Sequence, residues 1–126
     1  MQVREIMRIK GATLYTTTPQ QALSVAVDTM AEFDVGSLVV MDAGRMVGML
    51  TFHQVLKAFK NHRGNLEGVT VGAVMVPDPV TAPPSMETND LRRLMVNSHS
   101  RYLPIMDGDT LLGVISFLDV AKAVLE

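Results

Sequence analysis

Two four-residue segments carry the side chains best suited to bind a polar ligand. They run from Thr51 to Gln54 and from Ser116 to Asp119, and each stands where a helix is predicted to begin. A hydroxyl followed three residues later by Gln or Asp is typical of a capping box, in which the two side chains bond free amides of the first turn. The same helix N-terminus can hold a phosphate and a sugar diol. The two interpretations are compatible.

The two segments are equivalent because the chain contains the same unit twice. Residues 38–52 match residues 103–117 at an offset of 65, and residues 3–7 match residues 71–75 at an offset of 68. The first copy therefore carries three additional residues near its start. Units of roughly 60 residues are marginally stable alone, so we expect the copies to fold against each other.

Hydrophobic periodicity and turn residues predict that each copy contains strand, helix, strand, strand and helix after a short amphipathic turn or helix. We assign residues 1–60 to the first repeat, 61–69 to a linker and 70–126 to the second repeat. The predicted elements of the first copy are a turn or helix at 3–7, a strand at 14–17, a helix at 20–33, strands at 37–41 and 46–50, and a helix at 51–59. Those of the second copy are a helical turn at 71–75, a strand at 80–82, a helix at 86–97, a hairpin turning at 107–108, and a helix at 116–125.

The fold class that follows is α/β (α+β). We expect two β-α-β-β-α repeats, related by a pseudo-twofold axis and packed sheet to sheet, with a central cleft between them. The two four-residue segments that could bind a ligand, which we call the tetrads, would then lie at equivalent places in the two halves.

Composition excludes several classes of function. The chain has 126 residues and a net charge of −2, which provides no basic surface for nucleic acid. It has no cysteine, so disulfides, thiolate nucleophiles and zinc–thiolate sites are excluded. No apolar run is long enough to span a membrane, and the N-terminus does not resemble a signal peptide. We expect a soluble, cytoplasmic protein.

The remaining titratable side chains do not predict an enzyme. The three histidines, His53, His62 and His99, lack the spacing of a metal site and are expected to be solvated or to cap helices. No Ser, His and Asp set is arranged by a motif for nucleophilic catalysis. A small metal-dependent enzyme would need a cluster of ligands that the sequence lacks.

The doubled unit resembles a tandem pair of CBS domains, the Bateman module, of a small stand-alone bacterial or archaeal type. The motifs are Val-x-x-x-Met at the start of both copies, Leu-Pro-Ile-Met-Asp in the second hairpin and Gly-Val-Ile-Ser-x-x-Asp at the last helix. The resemblance covers nearly the whole chain. It implies a regulatory sensor that binds AMP, ADP, ATP or NAD(H) in the cleft between the repeats and requires no cofactor.

The resemblance also implies roles for the two tetrads. In the family, the Ser or Thr contacts phosphate and the Asp binds the ribose hydroxyls. Ser116 and Asp119 keep this pattern, whereas Gln54 stands where the first copy should carry the Asp. Bonds to a carboxylate are roughly twice as strong as neutral ones, so we expect one good site on the second repeat. The weaker candidates of the first repeat are Thr16, Thr17, Thr51 and Gln54.

The same resemblance implies further partners for the adenine base and for the phosphate of the ligand. Tyr102 can stack on a purine or simply pack in the sheet. Arg101 can face a phosphate or lie on the surface, and its counterpart in the first copy is Gly36. The residues implied to surround the base are Val80, Thr81, Ala82, Tyr102 and Pro104.

A second hypothesis is a ligand-free homodimeric interaction module, in which the tetrads only cap helices. Two apolar stripes would then drive self-association. Because the resemblance implies pairing through helices of both repeats, a homodimer fits both hypotheses. An effector protein is expected, but the sequence does not identify it. The stripes consist of Val55, Leu56 and Phe59, and of Val120, Val124 and Leu125.

Overall fold

The computed structural model describes residues 1–11 and 13–125. It confirms a mixed α/β fold in which both repeats carry strands and helices. The helices are α1 (Val3–Lys10), α2 (Leu23–Phe33), α3 (Phe52–Asn61), α4 (Val71–Val74), α5 (Thr88–Asn97) and α6 (Phe117–Leu125). The strands are β1 (Thr16–Thr17), β2 (Ser37–Asp42), β3 (Arg45–Thr51), β4 (Val76–Pro77), β5 (Tyr102–Asp107) and β6 (Thr110–Ser116).

The chain forms two compact units, each with its own apolar core. One unit is Tyr15–Asp78, and the other combines Met1–Leu14 with Pro79–Glu126. Val71 of α4 is fully buried in the core of the first unit, and Val3 of α1 is fully buried in the core of the second. The leading helix of each copy therefore packs with the strands of the other copy. The repeat boundaries inferred from sequence register stay a prediction.

The first unit contains a four-stranded sheet in the order β1-β2-β3-β4. Strand β1 is parallel to β2, with Thr17 opposite Val40, and β2 and β3 form an antiparallel hairpin. The turn of this hairpin places Ala43 and Gly44 at φ values of 50° and 78°. Positive φ at both central residues is the geometry that joins twisted antiparallel strands in a short loop.

The second unit repeats the hairpin in the same register. Leu103 lies opposite Ile115 in β5 and β6, as Leu38 lies opposite Leu50 in β2 and β3. The strand predicted at 80–82 is shorter than expected, because it pairs with β5 only through a parallel bridge between Ala82 and Ile105. The two prolines that follow Ala82 have no N–H group to extend the ladder.

Four helices differ from the sequence prediction by two residues or more at one end, and one of them, α3, runs to Asn61 instead of residue 59. α1 continues past residue 7 to Lys10, whereas α2 begins at Leu23 instead of residue 20 and α5 at Thr88 instead of residue 86. The residues before α2 and α5 are extended and form bridges, Ala22 with Thr70 and Glu87 with Gln2. Pairing with a neighbouring segment therefore replaces the first helical turn that the periodicity predicts.

The last apolar residue of α2 is not in the core. Leu23, Ala26 and Met30 are buried, but Phe33 is 48% exposed. Its ring stacks on Tyr15, with the two ring centroids 4.7 Å apart. Phe33 therefore covers the edge of the first unit instead of filling its interior.

Two equivalent glycines allow close packing against the third strand of each copy. A Cβ atom added at Gly48 would lie 2.7 Å from the Val76 carbonyl oxygen and 2.8 Å from Met75 Sδ. A Cβ added at Gly113 would instead meet the terminal Cε of the Met7 side chain. Backbone atoms therefore limit the space for a side chain at Gly48, whereas the end of a flexible side chain limits it at Gly113.

Candidate ligand-binding site on the second repeat

A reciprocal capping box forms the N-terminus of α6. The Ser116 amide donates to Asp119 Oδ2 at 2.9 Å, and the Asp119 amide donates to Ser116 Oγ at 3.1 Å. Ser116 is the last residue of β6 and Asp119 is in the first turn of α6, so the strand-to-helix junction sets the spacing of the two side chains. The capping interpretation of this tetrad is confirmed.

Lys10 joins this cluster from the last turn of α1. Its Nζ lies 2.9 Å from Asp119 Oδ2, and the two side chains are 29% and 21% exposed. Lys10 Nζ also donates to the Val114 carbonyl oxygen of β6. The sequence prediction missed Lys10 because it ended the first helix too early. Arg8 and Lys10 directly before Gly11 are a helix C-terminus signal that would have extended it.

Asp119 is held in its ionised form. Burial of the carboxyl raises its pKa, but the hydrogen bond from the Ser116 amide, the Lys10 ammonium and the Ser116 hydroxyl together outweigh burial, and the net pKa lies below the ordinary value of 3.8. An ionised carboxylate accepts hydrogen bonds and donates none. Near neutral pH, Asp119 is therefore suited to the hydroxyls of a sugar.

The free amides at the start of α6 are fewer than the sequence suggests. The Phe117 amide donates to the Arg101 carbonyl oxygen at 2.8 Å, and the Asp119 amide is used by Ser116. Of the first three amides of the helix, two therefore donate within the protein. An anion at this end would depend on the Leu118 amide and on nearby side chains.

An open cavity of about 580 Å³ lies beside this helix start. It is formed where α5 ends, β5 begins and α6 begins, so it brings together the candidates Arg101, Tyr102 and Ser116. Arg101 is exposed and forms no ion pair within residues 1–11 and 13–125. The cavity lining consists of Met95, Val96, His99, Ser100, Arg101, Tyr102, Ser116, Phe117 and Leu118.

The residues expected around the base form a second group on the strands. The Ala82 amide donates to the Pro104 carbonyl oxygen at 3.1 Å, and both residues are buried. Val80 and Thr81 precede this bridge and are exposed. Tyr102, which is also expected beside the base, lines the cavity next to α6, whereas the other four residues of this group do not. The candidate residues thus divide into a polar group at α6 and a strand group around Ala82.

The first-repeat candidates use their polar atoms locally. Thr51 and Gln54 form the capping box of α3, in which Gln54 Oε1 accepts from the Thr51 amide at 3.1 Å. The buried Thr17 hydroxyl donates to Gln21 Oε1, and Thr16 is exposed in β1. The capping interpretation is confirmed here as well.

Two further features concern metal and membrane. Across residues 1–11 and 13–125, no group of three or more His, Cys, Asp or Glu side chains is placed to hold a metal ion. In the same part of the chain, every helix is too short or too polar to cross a bilayer.

Comparison with known proteins identifies the repeated unit. The family model described as "CBS domain" matches twice, at residues 3–61 and 71–126. This chain belongs to the CBS-domain family. A CBS domain-containing protein of Bacillus subtilis, YhcV, is 32% identical over 107 residues, which is 84% of this chain and 75% of that protein.

Solved structures share the tandem CBS fold. A CBS-domain containing protein from Agrobacterium tumefaciens is 26% identical with a TM-score of 0.93, covering 98% of this chain and 99% of that chain. CBSX2 from Arabidopsis thaliana, solved in complex with AMP, is 24% identical with a TM-score of 0.82, covering 98% of this chain and 96% of that chain. The likeness to CBSX2 shows a common fold.

Proposed function

We propose that this chain is a regulatory module that binds an adenine nucleotide or NAD(H) through its second repeat, and is not itself an enzyme. The observation that carries the proposal is the polar group at α6, in which an ionised Asp119 stands beside Ser116 and an unpaired Arg101 lines the adjacent cavity. Membership of the CBS family and the AMP complex of CBSX2 support the choice of ligand.

Each part of the ligand has a proposed partner. Asp119 accepts the ribose hydroxyls, and Ser116 and Arg101 contact phosphate, because guanidinium and hydroxyl groups bind phosphate oxygens in charge-assisted bonds. The base lies against the strand group. Its residues are Val80, Thr81, Ala82 and Pro104, with Tyr102 beside them.

One ligand is expected per chain. In the first repeat, Gln54 stands in place of the carboxylate and Gly36 in place of the arginine, so both charged partners of a nucleotide are lost. Thr16, Thr17 and Thr51 leave only neutral hydroxyls there. The first repeat would hold ligand weakly or not at all, and occupancy of the second repeat would be read by a partner protein.

A thermal-shift screen tests the proposal directly. AMP, ADP, ATP, NAD(H), adenosine and S-adenosylmethionine are each added to the purified chain, with CMP as the control nucleotide. A ligand present at 100 times its Kd stabilises the folded state by about 2.7 kcal/mol, which appears as a rise in Tm. A flat response to every adenosyl compound would contradict the proposal.

Arg101→Ala separates phosphate recognition from nucleoside recognition. We expect this variant to bind AMP about fivefold more weakly, because an exposed charge contact contributes about 1 kcal/mol, and to bind adenosine as the unmodified chain does. Titration calorimetry measures both ligands. Arg92→Ala, at an exposed position on α5, is the matched control for loss of charge. Equal losses for AMP and adenosine would remove the phosphate role.

The second candidate function is a homodimeric interaction module, and one observation favours it. Of the predicted α3 stripe, Leu56 and Phe59 are 68% and 52% exposed, whereas Val55 is partly buried against the core; Phe52, 58% exposed, completes an apolar face. Of the predicted α6 stripe, Val120 is buried and Val124 is exposed, and the side chain of Leu125 lies outside the described residues. Exposed apolar side chains at this spacing are typical of helix pairing. A stable dimer with no thermal shift for any adenosyl ligand would favour this function.

A further inference from the structure

We propose that Lys10 is a displaceable partner of Asp119 that couples ligand binding to the end of α1. Lys10 holds the carboxylate in the free protein, and a ribose diol takes its place on one carboxylate oxygen. This inference rests on the proposed function, because it uses Asp119 as the group that binds the ribose.

The contacts of Asp119 leave no free acceptor position on Oδ2 for a diol that bridges both carboxylate oxygens. A carboxylate offers about four lone-pair positions, about two on each oxygen. Oδ2 already accepts a hydrogen bond from the Ser116 amide at 2.9 Å, and the Lys10 ammonium lies 2.9 Å from the same oxygen in an ion pair. A diol that donates one hydroxyl to each oxygen therefore needs a position that is in use on Oδ2.

Lys10 is the donor that can leave this oxygen. The Ser116 amide is fixed by the backbone at the junction of β6 and α6. Lys10 instead reaches Asp119 with a flexible four-carbon stem, and its side chain is 29% exposed. Water can hydrate the released ammonium, so exchange of Lys10 for a ribose hydroxyl costs less than breaking the cap.

Displacement of Lys10 acts on the C-terminal end of α1. Lys10 is the last residue of that helix, and the Gly11 amide closes the helix on the Met7 carbonyl oxygen at 3.1 Å. Through Asp119 and the Val114 carbonyl, the Lys10 side chain ties this last turn to α6 and β6. Loss of the Asp119 contact leaves the last turn of α1 with one fewer attachment.

The first repeat provides an internal comparison. At the offset of 68, Lys10 corresponds to Asp78, and at the offset of 65, Asp119 corresponds to Gln54. Both charges of the pair are therefore replaced together in that copy. Its leading helix α4 also ends at Val74, and the chain enters β4 instead of adding the turn that would carry a lysine. The pair is specific to the repeat that we propose binds ligand.

Lys10→Met tests the exchange, because methionine keeps the apolar stem and removes the ammonium. We expect this variant to bind adenosine about threefold to fivefold more tightly, since the ligand no longer breaks an ion pair worth up to about 1 kcal/mol. Arg8→Met is the matched control, with the same loss of charge in the same turn at an exposed position. 2′-Deoxyadenosine has only one of the two ribose hydroxyls of the diol. We expect the unmodified chain, Lys10→Met and Arg8→Met to bind it with equal affinity.

Hydrogen exchange of the Gly11 amide in the unmodified chain provides a second measurement that does not depend on a variant. We expect this amide to exchange about threefold to fivefold faster when adenosine is saturating, and to be unchanged by 2′-deoxyadenosine. If adenosine binds but Lys10→Met shows equal or weaker affinity, or if Gly11 exchange stays constant, the displacement of Lys10 is wrong and the proposed function stands. If adenosine and AMP fail to bind the unmodified chain, the proposed function is wrong, and the inference falls with it.

Discussion

Asp119→Asn is expected to weaken adenosine binding about tenfold. The amide keeps the size of the side chain and an oxygen that can accept from the Ser116 amide, so the cap of α6 is retained. It loses the charge that makes bonds to ribose hydroxyls roughly twice as strong, a loss of about 1 to 2 kcal/mol. Adenosine is the appropriate ligand because it has no phosphate and therefore does not report on Arg101.

Titration calorimetry at a temperature well below unfolding measures this change together with the number of sites. We expect one site per chain in the unmodified protein. Asp90→Asn on α5 is the matched control, because it removes the same charge from an exposed carboxylate that forms an ion pair with Arg93 at 3.5 Å. Unchanged affinity in Asp119→Asn, or two equal sites per chain, would contradict the assignment of the ribose to Asp119.

Gly48→Ala is expected to lower the free energy of unfolding by about 1 to 3 kcal/mol, the usual cost of overpacking a close contact. The new methyl group would lie 2.7 Å from the Val76 carbonyl oxygen, which belongs to the backbone of the adjacent strand β4. This overlap can be relieved only if strands β3 and β4 move apart. Denaturant unfolding, with the m-value checked for constancy, measures the loss.

Gly113→Ala is the matched control at the equivalent position of the second unit. The methyl group there meets only the Cε end of Met7, which can rotate away, so we expect a loss below about 1 kcal/mol. Both substitutions restrict the unfolded chain equally, and the difference between them reports the native contact alone. Equal losses, or a larger loss in Gly113→Ala, would show that backbone contact at Gly48 is not the cause.

The repeated architecture was predictable because it depends on local signals present twice. Hairpin turns, apolar strands and the two capping tetrads recur in one register, and Ser116 and Asp119 meet as their spacing predicts. The starts of α2 and α5 were predicted too early, since helical periodicity does not show that Ala22 and Glu87 form bridges with distant segments. Helix propensity depends on the local sequence, and here tertiary pairing overrides it.

Lys10 could not have been placed by local reasoning. It contacts a residue more than 100 positions later in the chain, and this contact exists only because α1 packs into the core of the second repeat. Sequence register assigns α1 to the first copy, and a pattern search within one copy does not reach across to the other. The candidate cavity has a different origin, since α5, β5 and α6 all belong to the second repeat and its lining residues lie within residues 95–118.

The exchange of leading helices has a consequence for biosynthesis. The unit Tyr15–Asp78 is continuous in sequence, so all of it is translated before the second hairpin. Helix α1 is translated before that unit, yet the core that buries Val3 and Ile6 is complete only after α6 has been translated. Contacts of such long sequence separation form late. The apolar side chains of α1 therefore stay unburied in the nascent chain until α6 has been translated.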